Sequence, residues 1–209
     1  MRAIDGLRIC AMVATTSLCG VGAAQAATEI TRFNANGSFA SHNSFDGTAS
    51  LDLSVNKNTQ GSTTTTFFSF NKQTCNTTTC SGTFGFGNIP NGDFSASPAA
   101  STARLNTNLA ANPGFQVFNY VIDLATGNST QTPATGGVVV IDWNLIPRES
   151  SSSSGTQSFV SGAFSNKITG QQTANRARSS GTLFGAAIPT DGIGFIGTMT
   201  QSQVIMFRN

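Results

Sequence analysis

A side-chain period of two is the feature that most limits what this chain can fold into. Ala49, Leu51, Leu53 and Val55 alternate with Ser50, Asp52 and Ser54. Extended backbone sends successive side chains to opposite faces, so this spacing predicts a strand with one buried face. Thr66, Phe68 and Phe70 repeat the pattern within 63–72, and Phe84 and Phe86 follow a pair of cysteines. Segments 115–124 and 138–145 are apolar on both faces and predict central strands packed from two sides. Segments 159–164, 182–188 and 193–207 complete the set.

Between these segments fall Asn36-Gly37, Asp46-Gly47, Asn91-Gly92, Gly127-Asn128 and Asp191-Gly192. Asn-Gly and Asp-Gly supply the positive φ angles that tight hairpins require. Short strands joined by such turns about every ten residues predict an all-β fold, a single antiparallel β-sandwich or jelly-roll-like domain. Ser97-Pro98 could open a helix ending before Pro113, but the Asn and Thr content of 105–112 favours a strand through Leu105 and Leu109. The serine run 150–154, ended by Gly155, reads as a flexible surface loop. Ser81-Gly82-Thr83 and Ser180-Gly181-Thr182 each precede an Ile-Pro by the same interval. In a chain this rich in Ser, Gly and Thr, coincidence explains that similarity most simply.

The N-terminus carries Arg2 and Arg8, an apolar stretch over 9–24, and the small-x-small triplet Ala24-Gln25-Ala26. This is the pattern of a secretory signal peptide, 1–26, cleaved between Ala26 and Ala27. Asp5 is unusual there, and the apolar stretch falls short of the ~20 residues that a bilayer core demands of a helix. Thr16-Ser17-Leu18 before Cys19 does not make a lipidation site. The expectation is a secreted, periplasmic or cell-surface protein with no transmembrane helix, whose residues 27–209 form one domain.

From Ala27 onward, Thr, Ser and Asn supply 67 of 183 residues and must cover most of the surface, because only 10% of the chain is charged. Nine Lys/Arg against eight Asp/Glu in that stretch leave a net charge near +1. Nucleic acid is a poor partner for such a surface, since its binding draws on a clustered basic face. Cys75 and Cys80 bracket four residues, and in an oxidising compartment the pair predicts a disulfide closing a short loop. No metal site is expected, because tetrahedral coordination takes four ligands and the sole histidine, His42, is distant in sequence. No cofactor motif is present either, for the chain lacks Gly-x-Gly-x-x-Gly and Gly-Lys-Ser/Thr.

Catalytic material is sparse. No Gly-x-Ser-x-Gly elbow surrounds a serine, and His42 before the Asp46 turn reads as a solvated loop residue. Glycoside hydrolysis takes two facing carboxylates. Glu29, Glu149, Asp93, Asp123, Asp142 and Asp191 each have a simpler structural reading in a turn, a loop or a strand. Trp143 shares a strand face with Val139, Ile141 and Leu145, and Tyr120 shares one with Phe118, Ile122 and Leu124. Both therefore read as core, and the abundant Phe as packing. The chain reads more as a non-enzymatic exported protein, with a structural or binding role at a surface or in a matrix, than as an enzyme. A glycan or another surface protein is the partner class left open. Carbohydrate binding, or glycan chemistry through aspartates, is the alternative. An outer-membrane β-barrel ranks below both, since one Trp and one Tyr cannot form two aromatic girdles.

Overall fold

The computed structural model describes residues 29–97, 101–161 and 164–207. The expected signal peptide, 1–26, and its cleavage site between Ala26 and Ala27 lie outside the described residues. Twelve strands run in chain order: β1 Glu29–Phe45, β2 Ala49–Gln60, β3 Thr63–Cys75, β4 Thr79–Ile89, β5 Phe94–Ser97, β6 Thr102–Asn108, β7 Phe115–Asp123, β8 Ser129–Pro133, β9 Val138–Ser161, β10 Phe164–Leu183, β11 Ala186–Ala187 and β12 Ile193–Phe207. A single 3-10 turn, Leu109–Ala111, follows β6, with the Asn108 side chain accepting from the Ala110 N–H. No helix of the described residues is long and apolar enough to cross a membrane.

The strands form one continuous antiparallel sheet in the order β5-β6-β9-β10-β12-β1-β2-β3-β4-β7-β8, with β11 folded back on the end of β10. The all-β class holds, and the sheet curls so that its two halves share one core. Leu51, Leu53 and Val55 of β2 and Phe68 and Phe70 of β3 point inward, as their alternation requires. They meet Leu105, Val139, Ile141, Trp143, Leu183 and Ile196 from the other half in one buried cluster. The Phe70 ring packs edge-on against Phe184 at 5.3 Å, across the core. Lys57, at the end of β2, ties the halves together at the rim by donating to the carbonyls of Asn91 and Phe94, at 2.7 and 3.3 Å.

Trp143 is 1% exposed, and its indole N–H donates to the Ser41 carbonyl at 2.9 Å. A buried ring with its one polar atom satisfied is the arrangement that makes tryptophan a low-cost core residue. The cysteine pair lies directly opposite across the β3–β4 hairpin, with the sulfurs at 2.08 Å. The Asn76 side chain closes this hairpin by accepting the Thr78 and Thr79 N–H groups at 2.8 and 2.7 Å. Asp46 does the same for Thr48 and Ala49, and Asp123 for Ala125 and Thr126. An Asx side chain mimicking a backbone turn thus shapes three connections.

Several local expectations are corrected. Asn36-Gly37 is no turn, because it lies inside β1 and pairs on both sides. Segment 159–164 is not one strand: it spans the end of β9 at Ser161 and the start of β10 at Phe164. Segment 182–188 breaks at Phe184-Gly185, both at positive φ, and only then gives β11. The corresponding Ser81-to-Ile89 stretch runs unbroken in β4, so the two similar segments differ in structure. Leu109 leaves the strand predicted for it and starts the 3-10 turn.

The serine run is the largest departure. Residues 150–154 lie within β9 and pair with β10 throughout. Here β9, β10, β12 and β1 continue beyond the core as a four-stranded ribbon, with β9 and the start of β1 as its edges, since β6 pairs only with Val138–Asn144 and β2 only with Ala35–Phe45. Hydroxyl side chains suit a strand exposed on both faces, and such a strand needs no apolar alternation to announce it.

Candidate functional site

The outward face of β12, β1, β2, β3, β4 and β7 carries an open groove of about 780 Å³. Register lays its residues out in rows. One row reads Phe195, Ser41, Ser54, Ser69, Phe86 across five successive strands. The next reads Ile193, Asn43, Asp52, Asn71, Phe84, Phe118. Each row has a polar floor on the three middle strands and an apolar wall at either side. Strands are spaced ~4.8 Å apart, so β12 and β4 set the walls ~19 Å apart.

The β4 wall is an aromatic cluster centred on Phe84. Its ring lies 5.3 Å from Phe118, 5.9 Å from Tyr120 and 6.3 Å from Phe86. These rings face outward because the other face of β4 has no room for them. A Cβ on Gly85 would lie 2.6 Å from the Phe70 ring and 2.8 Å from that of Phe115. Large residues of β3 and β7 fill the inner face, glycine yields to them, and the phenylalanines between the glycines turn out. Gly82 lies on the outward face with Phe84 and makes room there for Tyr120, whose Cζ would be 2.8 Å from a Cβ at that position.

The floor is hydrogen-bonded within itself. The Asn43 amide donates to the Asp52 carboxylate. The Tyr120 hydroxyl donates to the Asn71 side-chain oxygen at 3.0 Å, which leaves the NH₂ end of that carboxamide as a donor for a ligand. Burial raises the Tyr120 pKa, and the Asn71 hydrogen bond opposes the rise. The phenol therefore stays protonated and remains a donor. Asp52 is the one carboxylate among the groove-lining residues.

Directly under this floor is His42. It is 1% exposed, in β1 between two groove residues, with Nδ1 hydrogen-bonded to the Ser179 hydroxyl. Nε2 is buried with no hydrogen-bond partner, and Gly192 packs so closely on that edge that no side chain fits there. Burial lowers the His42 pKa below 6.5, against upward pulls from Asp191 and Asp52. The imidazole is thus a neutral core residue, and its expected place in a solvated loop is corrected. The serine and histidine touch each other with both residues buried.

Comparison with family models, with curated proteins and with solved structures gives no match to this chain.

The other residues singled out in the sequence fall in separate places. Asp142 pairs with Arg104 and Glu149 with Arg176, each at 2.9 Å on the surface. Asp46 and Asp123 spend their oxygens on turn N–H groups, which lower both pKa values. Asp46 and Asp191 share the wall of a smaller depression of about 170 Å³. A general acid needs its pKa raised, and Asp46 is pushed the other way. No group of three His, Cys, Asp or Glu side chains gathers for a metal among the described residues.

Tyr120 was expected in the core and instead lines the groove, as do Phe84 and Phe86. The missed signal was the run Phe84-Gly85-Phe86-Gly87. Alternation of a large ring with glycine marks a face where neighbours press in, and the rings then belong to the opposite face.

Proposed function

We propose that this is an exported binding protein without catalytic activity, and that its groove takes an extended polar ligand, best matched by an oligosaccharide chain. The observation that carries the reading is the pair of cross-strand rows: Ser and Asn/Asp on the floor, aromatic rings on one wall, Ile193 and Phe195 on the other. Sugar rings have apolar C–H faces that stack on aromatic rings, and hydroxyls around their rims that exchange hydrogen bonds with carboxamides, carboxylates and hydroxyls. A groove offering both at neighbouring register positions matches that pattern on both counts. Binding is preferred over glycan hydrolysis because Asp52 stands alone in the groove, whereas acid–base cleavage takes two carboxylates.

Export and the 1–26 signal peptide belong to the same reading, supported by the disulfide and by the uncharged polar surface. The curled sheet, with its halves face to face over one core, is a sandwich-like solution to the same packing problem that two separate sheets solve.

Screening purified protein on an array of plant, fungal and bacterial glycans tests the reading. At least one linear glycan should bind, and Phe84→Ala or Asn71→Ala should weaken it about 10-fold or more, as loss of a stacking ring or a buried donor does. An array with no bound glycan would refute it, as would binding that both variants leave untouched.

A further inference from the structure

At the far end of the four-stranded ribbon the polar coat stops. Phe159 is 60% exposed, Val160 71% and Phe207 44%, beyond ribbon stretches that are mostly Ser, Thr, Gln, Asn and Gly, and Val204, Ile205 and Met206 precede Phe207 on β12. The Phe164 ring joins them, 6.2 Å from Phe159 and 5.2 Å from Phe207. Just behind the tip, on the face that carries Val160 and Met206, Lys167 and Arg32 flank Val204 on neighbouring strands, and both are exposed. Lys167 is three residues from Phe164, so at ~3.3 Å per residue the cations sit ~10 Å behind Phe164 and Phe207, while Phe159, paired with Asn166, lies one register position from Lys167 on the opposite face. The ribbon's acidic residues are Glu29 and, nearer the core, Glu149, which pairs with Arg176.

We propose that this tip docks on the surface of an anionic lipid bilayer, with the phenylalanine rings and Val160 entering the interface and Lys167 and Arg32 at the level of the headgroups. Interfacial segments bury their apolar side ~5–10 Å deep, which matches the setback of the two cations from Phe164 and Phe207. Cations at that depth face anionic headgroups well within the ~10 Å over which salt leaves the attraction unscreened. A second copy of the chain fits less well. The exposed apolar area is roughly 300 Å², at ~200 Å² for a whole phenylalanine, and a stable dimer buries ~800 Å² per partner. The ribbon also holds the tip clear of the groove, so the two sites can be occupied together.

Flotation with vesicles of phosphatidylcholine and phosphatidylglycerol (3:1), against pure phosphatidylcholine, tests the proposal. Wild-type protein should float with the anionic vesicles, bind the neutral ones weakly, and come off at high salt. Phe159→Ser with Phe207→Ser should cut the bound fraction about 10-fold on both lipids, while Lys167→Gln should weaken binding to anionic vesicles alone. Unchanged Trp143 emission in each variant shows that the core is intact, and Val160→Ser serves if the double variant fails to fold. Three results would overturn the proposal: no flotation of wild type, equal flotation of the double variant, or a concentration-dependent dimer that the double variant abolishes. None of these variants touches the groove, so failure here leaves the glycan reading standing, and the reverse holds.

Discussion

Trp143 and His42 occupy the same layer of the core, and each reports on it differently. Trp143→Ala removes a buried ring and leaves the Ser41 carbonyl without its donor, so it should cost ~3–5 kcal/mol of unfolding free energy. Urea titration measures this, and a loss below ~1 kcal/mol would contradict the burial. His42 gives the core a pH dependence whose sign follows from its lowered pKa. The unfolded chain takes up a proton near its ordinary value, ~6.5, before the folded chain does. The stability that neutral His42 supports is therefore full above that value and is lost as pH falls below it. The melting temperature should stay level above pH ~7 and fall between ~6.5 and ~5, a window above the ordinary carboxylate range. A flat profile through this window would contradict the account of His42.

Strands legible in the sequence are those with one face in the core. Leu51, Leu53 and Val55 announce β2 because those positions are buried in the core, and Asp46-Gly47 announces a turn because Gly47 sits at φ 95°, which few other residues tolerate. The outer halves of β9 and β10 left no such trace. Both of their faces are wet, so selection for alternation is absent, and a serine run looks the same in a strand as in a loop. The groove was hidden for a related reason. Phe84, Phe86 and Tyr120 have the composition of a core and the position of a surface, and only the packing of Phe70 and Phe115 against Gly85 distinguishes the two. At this scale the β3–β4 hairpin is the element to test. Its disulfide closes so short a loop that it removes less unfolded-state entropy than the ~3 kcal/mol of a 15-residue closure. Cys75→Ser with Cys80→Ser should therefore fold, with an unfolding free energy lowered by less than that amount. Alkylation without reductant should add no mass to protein produced from Ala27 onward, which lacks Cys10 and Cys19, and two modified thiols would refute the pairing.

The whole molecule separates its core from its groove by face. The inner face of the curled sheet holds the apolar core, the outer face holds the groove, and the ribbon carries an apolar tip away from both. Because a period of two assigns adjacent residues to opposite faces, Ser41 and Asn43 can meet a ligand while His42 between them supports the fold. The chain has one tyrosine, in the groove, and one tryptophan, in the core, so a single labelled sample observes both faces at once. Titrating ¹³C-tyrosine, ¹⁵N-tryptophan protein with the linear oligosaccharide that leads a glycan array is the most direct measurement. The Tyr120 ring signals should move to saturation, while the Trp143 indole signal stays in place or follows weakly through the Ser41 floor. Saturable binding that leaves Tyr120 unmoved would place the ligand elsewhere and contradict the groove as the binding site.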